Sequence, residues 1–125
     1  MWYKANIFGD TQTQTLIENQ TNPKEVKKLG RLVKGFDETK WCELRTGSMF
    51  IVCYNKFDQN KAMKKELLET GSRHLVEASP YDKVWGVGLE ENDPLILDEK
   101  NWRGLNLLGK VLMDVRNQFE FEKSA

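Results

Sequence analysis

Residues of the helix-capping type stand directly ahead of apolar runs with helical period, and this punctuation constrains the fold more than any other feature. Asn22-Pro23-Lys24-Glu25 is the clearest case. Asn22 can accept from a free N–H at a helix start, Pro23 has no N–H to lose at the first helical position, and Glu25 can close a capping box. Val26, Leu29, Gly30 and Val33 follow at i, i+3, i+4 and i+7, one apolar stripe. Gly30 costs a helix about 1 kcal/mol against Ala, which predicts a close neighbour there. Asp10 caps a helix through about Asn19, Asp37 caps one from about Glu38 to Phe57, and Asn60 caps one from Lys61 to Thr70 that Gly71 stops. The Asp37 helix carries Trp41, Leu44, Val52 and Phe57, widened by Cys42, Met49, Phe50 and Cys53, a face broad enough to predict contact on several sides. Trp2 to Phe8 reads as a first helix ended by Gly9. Leu105, Leu108, Leu112, Val115 and Phe119 keep period in a last helix, after which Glu120 to Ala125 are expected to fray.

Between the helices lies Leu75 to Gly88, LVEASPYDKVWGVG. Leu75-Val76 reads as the start of a short buried strand and Leu95-Ile96-Leu97 as a second. Ser79-Pro80-Tyr81-Asp82 is a turn, because Pro presets the backbone and Asp bonds its own chain further on. The expected fold is α+β: a mostly helical single domain over residues 1–125 with a small β-sheet. The stretch places two carboxylates, Glu77 and Asp82, ahead of Trp85-Gly86, and Gly86 and Gly88 allow close backbone approach. Spacing alone fits a reaction cleft, but fits better a solvated hairpin whose Trp packs in the core.

Lys plus Arg and Asp plus Glu each number 19, so the net charge is zero. That opposes a broad nucleic-acid footprint and leaves room for a local basic pocket holding one phosphate. The basic face of Lys24, Lys27, Lys28, Arg31 and Lys34 is most simply solvated. Cys42 and Cys53, on one helix, sit roughly 16 Å apart along its axis, beyond the reach of about 7 Å for a disulfide, which suits a reduced, cytoplasmic protein. No Cys/His cluster has zinc spacing, and the lone His74 suits a surface or packing role. No signal peptide or membrane-length apolar run is present in the sequence.

The ordered motifs resemble the YbiA-like family, also called NADAR. They are Lys4-Ala5 with Phe8-Gly9-Asp10, Leu29-Gly30-Arg31, Phe36-Asp37 before Trp41, Asn55 to Asn60, Leu67 to Gly71, Leu75 to Gly88, Asn106 to Gly109 and Leu112 to Arg116. Each is weak alone; the ordered set covers nearly the whole chain. The resemblance implies an N-glycosidase that hydrolyses the bond between C1 of a ribose and an amine nitrogen. Its implied substrates are phosphoribosylaminopyrimidine intermediates of riboflavin synthesis or ADP-ribose adducts, with no metal or redox cofactor. A carboxylate would stabilise oxocarbenium character on the sugar. A second carboxyl would protonate the leaving nitrogen or activate water. A lysine of lowered pKa would instead form a Schiff base with the opened sugar.

Carried over position by position, Glu77 or Asp82 is the carboxylate acting on the sugar, and Trp41 and Trp85 are stacking or cleft-lining rings. Lys4 is the candidate for the Schiff base or for phosphate. Arg31 and Lys56 are candidate phosphate contacts, and Gly86 and Asn106 shape the pocket. Against these stand plain structural roles: Lys56 as a surface charge, Trp41 as core, Gly30 and Gly109 as packing residues, and Arg116 as an ion-pair partner. Family members carry a further segment ahead of the helix that starts here at Met1, with a Phe-Ser-Asn-Phe strand region and a Glu-His or Glu-Gln pair. The resemblance therefore implies either a truncated or split member or one whose segment another polypeptide supplies, and an exposed sheet edge would favour a homodimer or a partner chain that completes the sheet. The alternative function is a non-catalytic module that binds a ribosyl phosphate or ADP-ribose, or serves only for interaction. Nucleic acid enters these readings only as an ADP-ribosylated substrate, and a membrane does not enter.

Overall fold

The computed structural model describes residues 1–124. Its regular elements are helices: α1 (Trp2–Ile7), α2 (Thr11–Glu18), α3 (Pro23–Arg31), α4 (Glu38–Asp58), α5 (Lys61–Glu69) and α6 (Leu107–Ser124), with 3-10 turns at Pro94–Leu97 and Glu99–Asn101. Two compact units divide the chain, Met1–Ser48 and Met49 onward, with the boundary inside α4.

The expected caps form. The side chain of Asp10 accepts from the Thr13 N–H, Asn22 from Lys24 and Asn60 from Met63. Asp37 Oδ1 accepts from Thr39 at 3.0 Å, while the Asp37 carbonyl takes the Trp41 N–H at 2.9 Å. These starts were legible because a cap is local chemistry that needs only the next few residues.

The small β-sheet does not form, and the fold is all-helical among the described residues rather than α+β. A strand needs a partner edge offering a ladder of backbone bonds. Leu75 and Glu77 instead bond one side chain, the Asn106 amide, and across from them a single backbone bond joins the Val87 N–H to the Glu77 carbonyl at 3.0 Å. Leu95 to Leu97, read as a strand, is a 3-10 turn with Pro94 at its first position and the Asp93 carboxylate accepting from the Leu95 N–H at 3.0 Å.

In the first unit Ala5, Ile17 and Val33 are buried, with Trp2, Phe8, Val26 and Leu29 packed against them. Asp10 ties this unit together. Its Oδ1 accepts from the Thr13 N–H at 3.0 Å, and its Oδ2 accepts from the Thr13 hydroxyl at 2.6 Å and from the Lys34 N–H at 2.9 Å. One carboxylate thus joins the start of α2 to the chain beyond α3. The neighbour predicted at Gly30 is the Met1 side chain, which occupies the space a Cβ would need.

In the second unit Cys53, Leu67, Val111, Val115 and Phe119 are buried. Tyr54 stacks on Phe119 at 4.9 Å and donates its hydroxyl to Glu122 Oε1 at 2.5 Å, which pushes the Tyr54 pKa up to about 12. That anchor also keeps the end of α6 helical through Ser124, where fraying from Glu120 was expected. At its other end α6 starts at Leu107 rather than Leu105, because Asn106 sits at φ 52°, outside helical space. Arg116, read as an ion-pair partner, is buried; its guanidinium donates to the Thr70 hydroxyl at 2.9 Å and the Arg73 carbonyl at 2.8 Å, not to a carboxylate. The broad apolar face of α4 is not covered on all sides: Leu44, Ile51, Val52 and Cys42 are exposed. Cys42 and Cys53 are both free thiols, and burial pushes the Cys53 thiol pKa up. No helix among the described residues is long and apolar enough to cross a membrane.

The Lys34 N–H, the Thr13 hydroxyl and the Thr13 N–H hold the Asp10 carboxyl down at about 2, from an ordinary value of 3.8. A depressed folded-state pKa adds stability that is full above the ordinary value and lost as pH falls toward the folded one. Urea unfolding midpoints of the native chain and Asp10→Asn should therefore differ most above pH 4 and converge between pH 4 and pH 2. A gap independent of pH would contradict this role for Asp10.

Candidate functional site

The second unit builds its site on the segment between α5 and α6. The Asn106 side chain is fully buried. Its Oδ1 accepts from the Glu77 N–H at 2.9 Å and its Nδ2 donates to the Leu75 carbonyl at 3.0 Å, so one amide holds both ends of the Leu75–Glu77 stretch. The Asn106 N–H donates to the Gly86 carbonyl at 3.0 Å. Gly86 is buried, and a Cβ there would lie 2.8 Å from the Asp82 carbonyl and 3.0 Å from that of Glu77. Its bareness thus serves the close passage of the chain's own backbone. At Gly109 a Cβ would collide with the Leu75 carbonyl, which confirms a packing role.

Asp82 closes the turn expected of it. Oδ1 accepts from the Val84 N–H at 3.0 Å and the Trp85 N–H at 2.8 Å. Oδ2 has no hydrogen-bond partner among the described residues and is not sealed from solvent. Trp85 is half-buried and packs against the core around Phe119. Glu77 is half-buried and lines a cleft of about 350 Å³ with Phe57, Leu67, Leu75, Val76 and Leu112. Glu66, on α5, brings a second carboxylate to the same cleft. Asp82 and Trp85 are not part of that lining. Glu66 was not singled out in the sequence, where it is one of many charges on an amphipathic helix.

Lys4 and Trp41 belong to the first unit. The Lys4 ammonium stands 4.5 Å from the centroid of the Phe36 ring and 5.8 Å from that of Trp41. Lys4 is half-buried, and desolvation pushes its pKa down, toward the neutral amine. Phe36 was the residue that sequence reasoning passed over as a bare motif match. The available signal was its position: Phe36 precedes the Asp37 cap and Trp41 is the fourth residue of the helix, the two places of a hydrophobic staple. Arg31 ends α3 and is exposed, as is Lys56 on α4. His74 is exposed, edge-on to Trp102 at 5.6 Å. Among the described residues no group of His, Cys, Asp and Glu side chains could hold a metal ion.

The Asn106 clamp has a measurable worth. Asn106→Ala strands two backbone groups and puts a Cβ residue without polar help at positive φ, which together should cost about 2–4 kcal/mol. Asn106→Gly removes the backbone strain but not the lost bonds, so its loss should be smaller. Urea denaturation ranks the three chains; an alanine variant as stable as the native one would refute the clamp.

Comparison with known proteins adds what geometry alone does not. The NADAR domain profile matches residues 1–120. Over 120 residues the chain is 41% identical to protein irg-1 of Caenorhabditis elegans, an alignment covering 94% of this chain and 57% of that protein. It is 41% identical over 118 residues to N-glycosidase R617 of Acanthamoeba polyphaga mimivirus, covering 94% of this chain and 69% of that one. A third relative is riboflavin biosynthesis protein VVA0006 of Vibrio vulnificus, 28% identical over 119 residues that cover 95% of this chain and 29% of that protein. The chain thus spans less than two thirds of the worm protein's length. With the profile running through all six helices as far as residue 120, and the ordered motifs around Lys4, Trp41, Asp82 and Asn106 inside it, the chain belongs to the NADAR family.

Proposed function

We propose that the chain carries the sugar-cleaving site of an N-glycosidase that hydrolyses the C1–N bond of a ribosylated amine. The observation that carries this reading is the Asp82 carboxylate. Two backbone N–H groups fix one oxygen and the other is left open, in a chain 41% identical to a protein named N-glycosidase. Breaking a C1–N bond develops positive charge on the sugar, and a pre-oriented carboxylate stabilises it without reorganising. Water then adds to C1 and the nitrogen leaves with a proton. Glu77 is the group assigned to move that proton, because its backbone carbonyl and that of Asp82 both flank the Gly86 α-carbon. Asn106 and Gly86 hold the backbone of both carboxylates in place.

The substrate class we favour is a phosphoribosylaminopyrimidine, since one relative is named a riboflavin biosynthesis protein. An ADP-ribose adduct of a base offers the same bond. Lys56, on the same unit as both carboxylates, is an exposed cation available to phosphate. Trp85, packed on the core, would serve as a wall.

A second route is favoured by Lys4. Its desolvated amine is shifted toward the neutral, nucleophilic form. Attack on C1 of the opened sugar would expel the amine and leave an imine, which water hydrolyses to regenerate the lysine.

Incubating the chain with a phosphoribosylaminopyrimidine, or with ADP-ribosylated guanine, should release free base. Asp82→Asn keeps an acceptor for Val84 and Trp85 but removes the charge, and should slow release about 10²- to 10³-fold. Borohydride added during turnover should trap a sugar adduct on Lys4 if the imine route operates, and none if water attacks directly. Undiminished release by Asp82→Asn would refute the assignment of Asp82. Binding of ribose 5-phosphate with no release from any substrate would favour a binding module instead.

A further inference from the structure

We infer that the Arg116 guanidinium anchors an oxyanion site at the end of α5, with Arg73 as its second cation, and that the site takes one phosphate or carboxylate group. Neither residue has a role in the glycosidase reading, so the inference stands apart from it and adds a ligand that the reading does not contain.

Arg116 is only 5% exposed. Its Nη1 is fully used, donating to the Thr70 hydroxyl at 2.9 Å and to the Arg73 carbonyl at 2.8 Å. The other edge of the group is free. Nε and Nη2 have no acceptor among the described residues, yet neither is sealed from solvent. These two nitrogens present parallel N–H bonds, the fork that matches two oxygens of one carboxylate or phosphate. Thr70 brings in the second cation. Its carbonyl accepts from Arg73 Nε at 3.1 Å, and the Glu69 carbonyl accepts from Arg73 Nη2 at 3.2 Å. Both guanidiniums therefore hold the same residue, one by its hydroxyl and the other by its carbonyl. The Arg73 side chain is otherwise exposed, with no hydrogen bond from Nη1 among the described residues.

The charge balance at this place calls for an anion. A guanidinium taken out of water needs a counter-charge, and among the described residues no carboxylate forms an ion pair with Arg116 or Arg73. Glu69, next to Thr70 in sequence, stands 3.9 Å from Lys65 instead. Glu120, one turn beyond Arg116 on α6, lies on a groove lined by Lys61, Lys64 and Lys123. Glu66 and Glu77 line the cleft that Thr70 also lines, and neither reaches the arginines. The last carbonyls of α5 supply some negative charge, about half a unit at a helix C-terminus. That offsets part of one guanidinium and leaves the pair net positive. A single arginine here would be a helix cap. Two on one residue, the buried one with its fork unused, exceed what capping needs. With the chain's net charge at zero the attraction is local, so the ligand is one oxyanion group rather than a polyanion.

The test is a titration of the full chain carrying isotope-labelled arginine, followed by NMR at the Arg116 Nε–H. The probes, at fixed ionic strength, are sodium phosphate, sodium acetate, ribose 5-phosphate, ribose and sodium chloride. Phosphate and acetate should shift the resonance, and ribose and chloride should leave it in place. Ribose 5-phosphate bound about tenfold or more tighter than phosphate assigns the site to a sugar phosphate; comparable or weaker binding assigns it to a free oxyanion. Arg73→Gln, a change at an exposed position, should weaken phosphate binding about threefold to tenfold. Arg116→Lys keeps the charge but loses the fork and should weaken it more than about tenfold. Where Arg116→Lys does not fold, the native chain and Arg73→Gln decide. An Arg116 Nε–H that phosphate and acetate leave unmoved, equal shifts with chloride, or an affinity unchanged by Arg73→Gln would each overturn the site. Base release scores the glycosidase reading separately, since that reading uses neither arginine.

Discussion

A single buried amide organises the second unit. The chain between α5 and α6 has no strand to satisfy its backbone, yet buried N–H and C=O groups must find partners. Asn106 supplies two of them at once to Leu75 and Glu77, and its own N–H reaches Gly86. That is possible only at the positive φ it adopts, a conformation Asn tolerates better than most residues because its short polar side chain bonds locally. Around it the backbone closes on itself. The Arg103 N–H donates to Val87 at 2.8 Å, Leu105 to Lys83 at 2.9 Å and Leu108 to Trp85 at 3.0 Å. Such close passage requires bare α-carbons, and a Cβ at Gly104 or Gly109 would strike a neighbouring carbonyl. Both candidate carboxylates therefore hang from backbone that is fixed by contacts, not by a sheet.

The first unit solves a similar problem with a charge. Asp10 accepts two hydrogen bonds from Thr13 and a third from the Lys34 N–H, 24 residues away, and so fixes the chain that leads to Phe36. Ala5, one residue from Lys4, is fully buried, so the direction in which Lys4 leaves α1 is set by packing. Lys4 is partly desolvated on a helix that is pinned in this way, and that burial pushes its pKa down.

What could be read from the sequence divides along the range of the interaction. Caps at Asp10, Asn22, Asp37 and Asn60, the turn at Asp82 and the close neighbour of Gly30 were all legible, because each is decided within a few residues or by sterics at one position. The strands were misread because Leu75-Val76 has strand composition, while strand formation depends on a partner edge that composition does not report. Here an amide some thirty residues away took the place of that edge. Leu95-Ile96-Leu97 was misread for a nearer reason, since Pro94 and the Asp93 cap already favoured a tight turn. The persistence of α6 depended on Tyr54 finding Glu122 across 68 residues, which no periodicity reveals. Among the candidate residues, the motif order named Glu77, Asp82, Lys4 and Trp41, but not the company each keeps. That Lys4 faces Phe36 is a tertiary fact, and that Asp82 spends one oxygen on its own turn is visible only with the backbone in place.

The two carboxylates are not interchangeable, and the difference follows from how each is held. Asp82 has one short side chain and an oxygen committed to two N–H donors, so it cannot travel; its value lies in having its free oxygen placed before charge develops. Glu77 has its backbone clamped by Asn106, Val87 and Ser79 but its half-buried side chain on the wall of a mostly apolar cleft. Proton transfer needs a group that can meet a leaving nitrogen and then water, two different positions, so mobility is an advantage there. Electrostatic stabilisation needs the opposite. Under the proposed hydrolysis, Asp82 would serve the step that needs a fixed charge and Glu77 the step that needs a proton carrier.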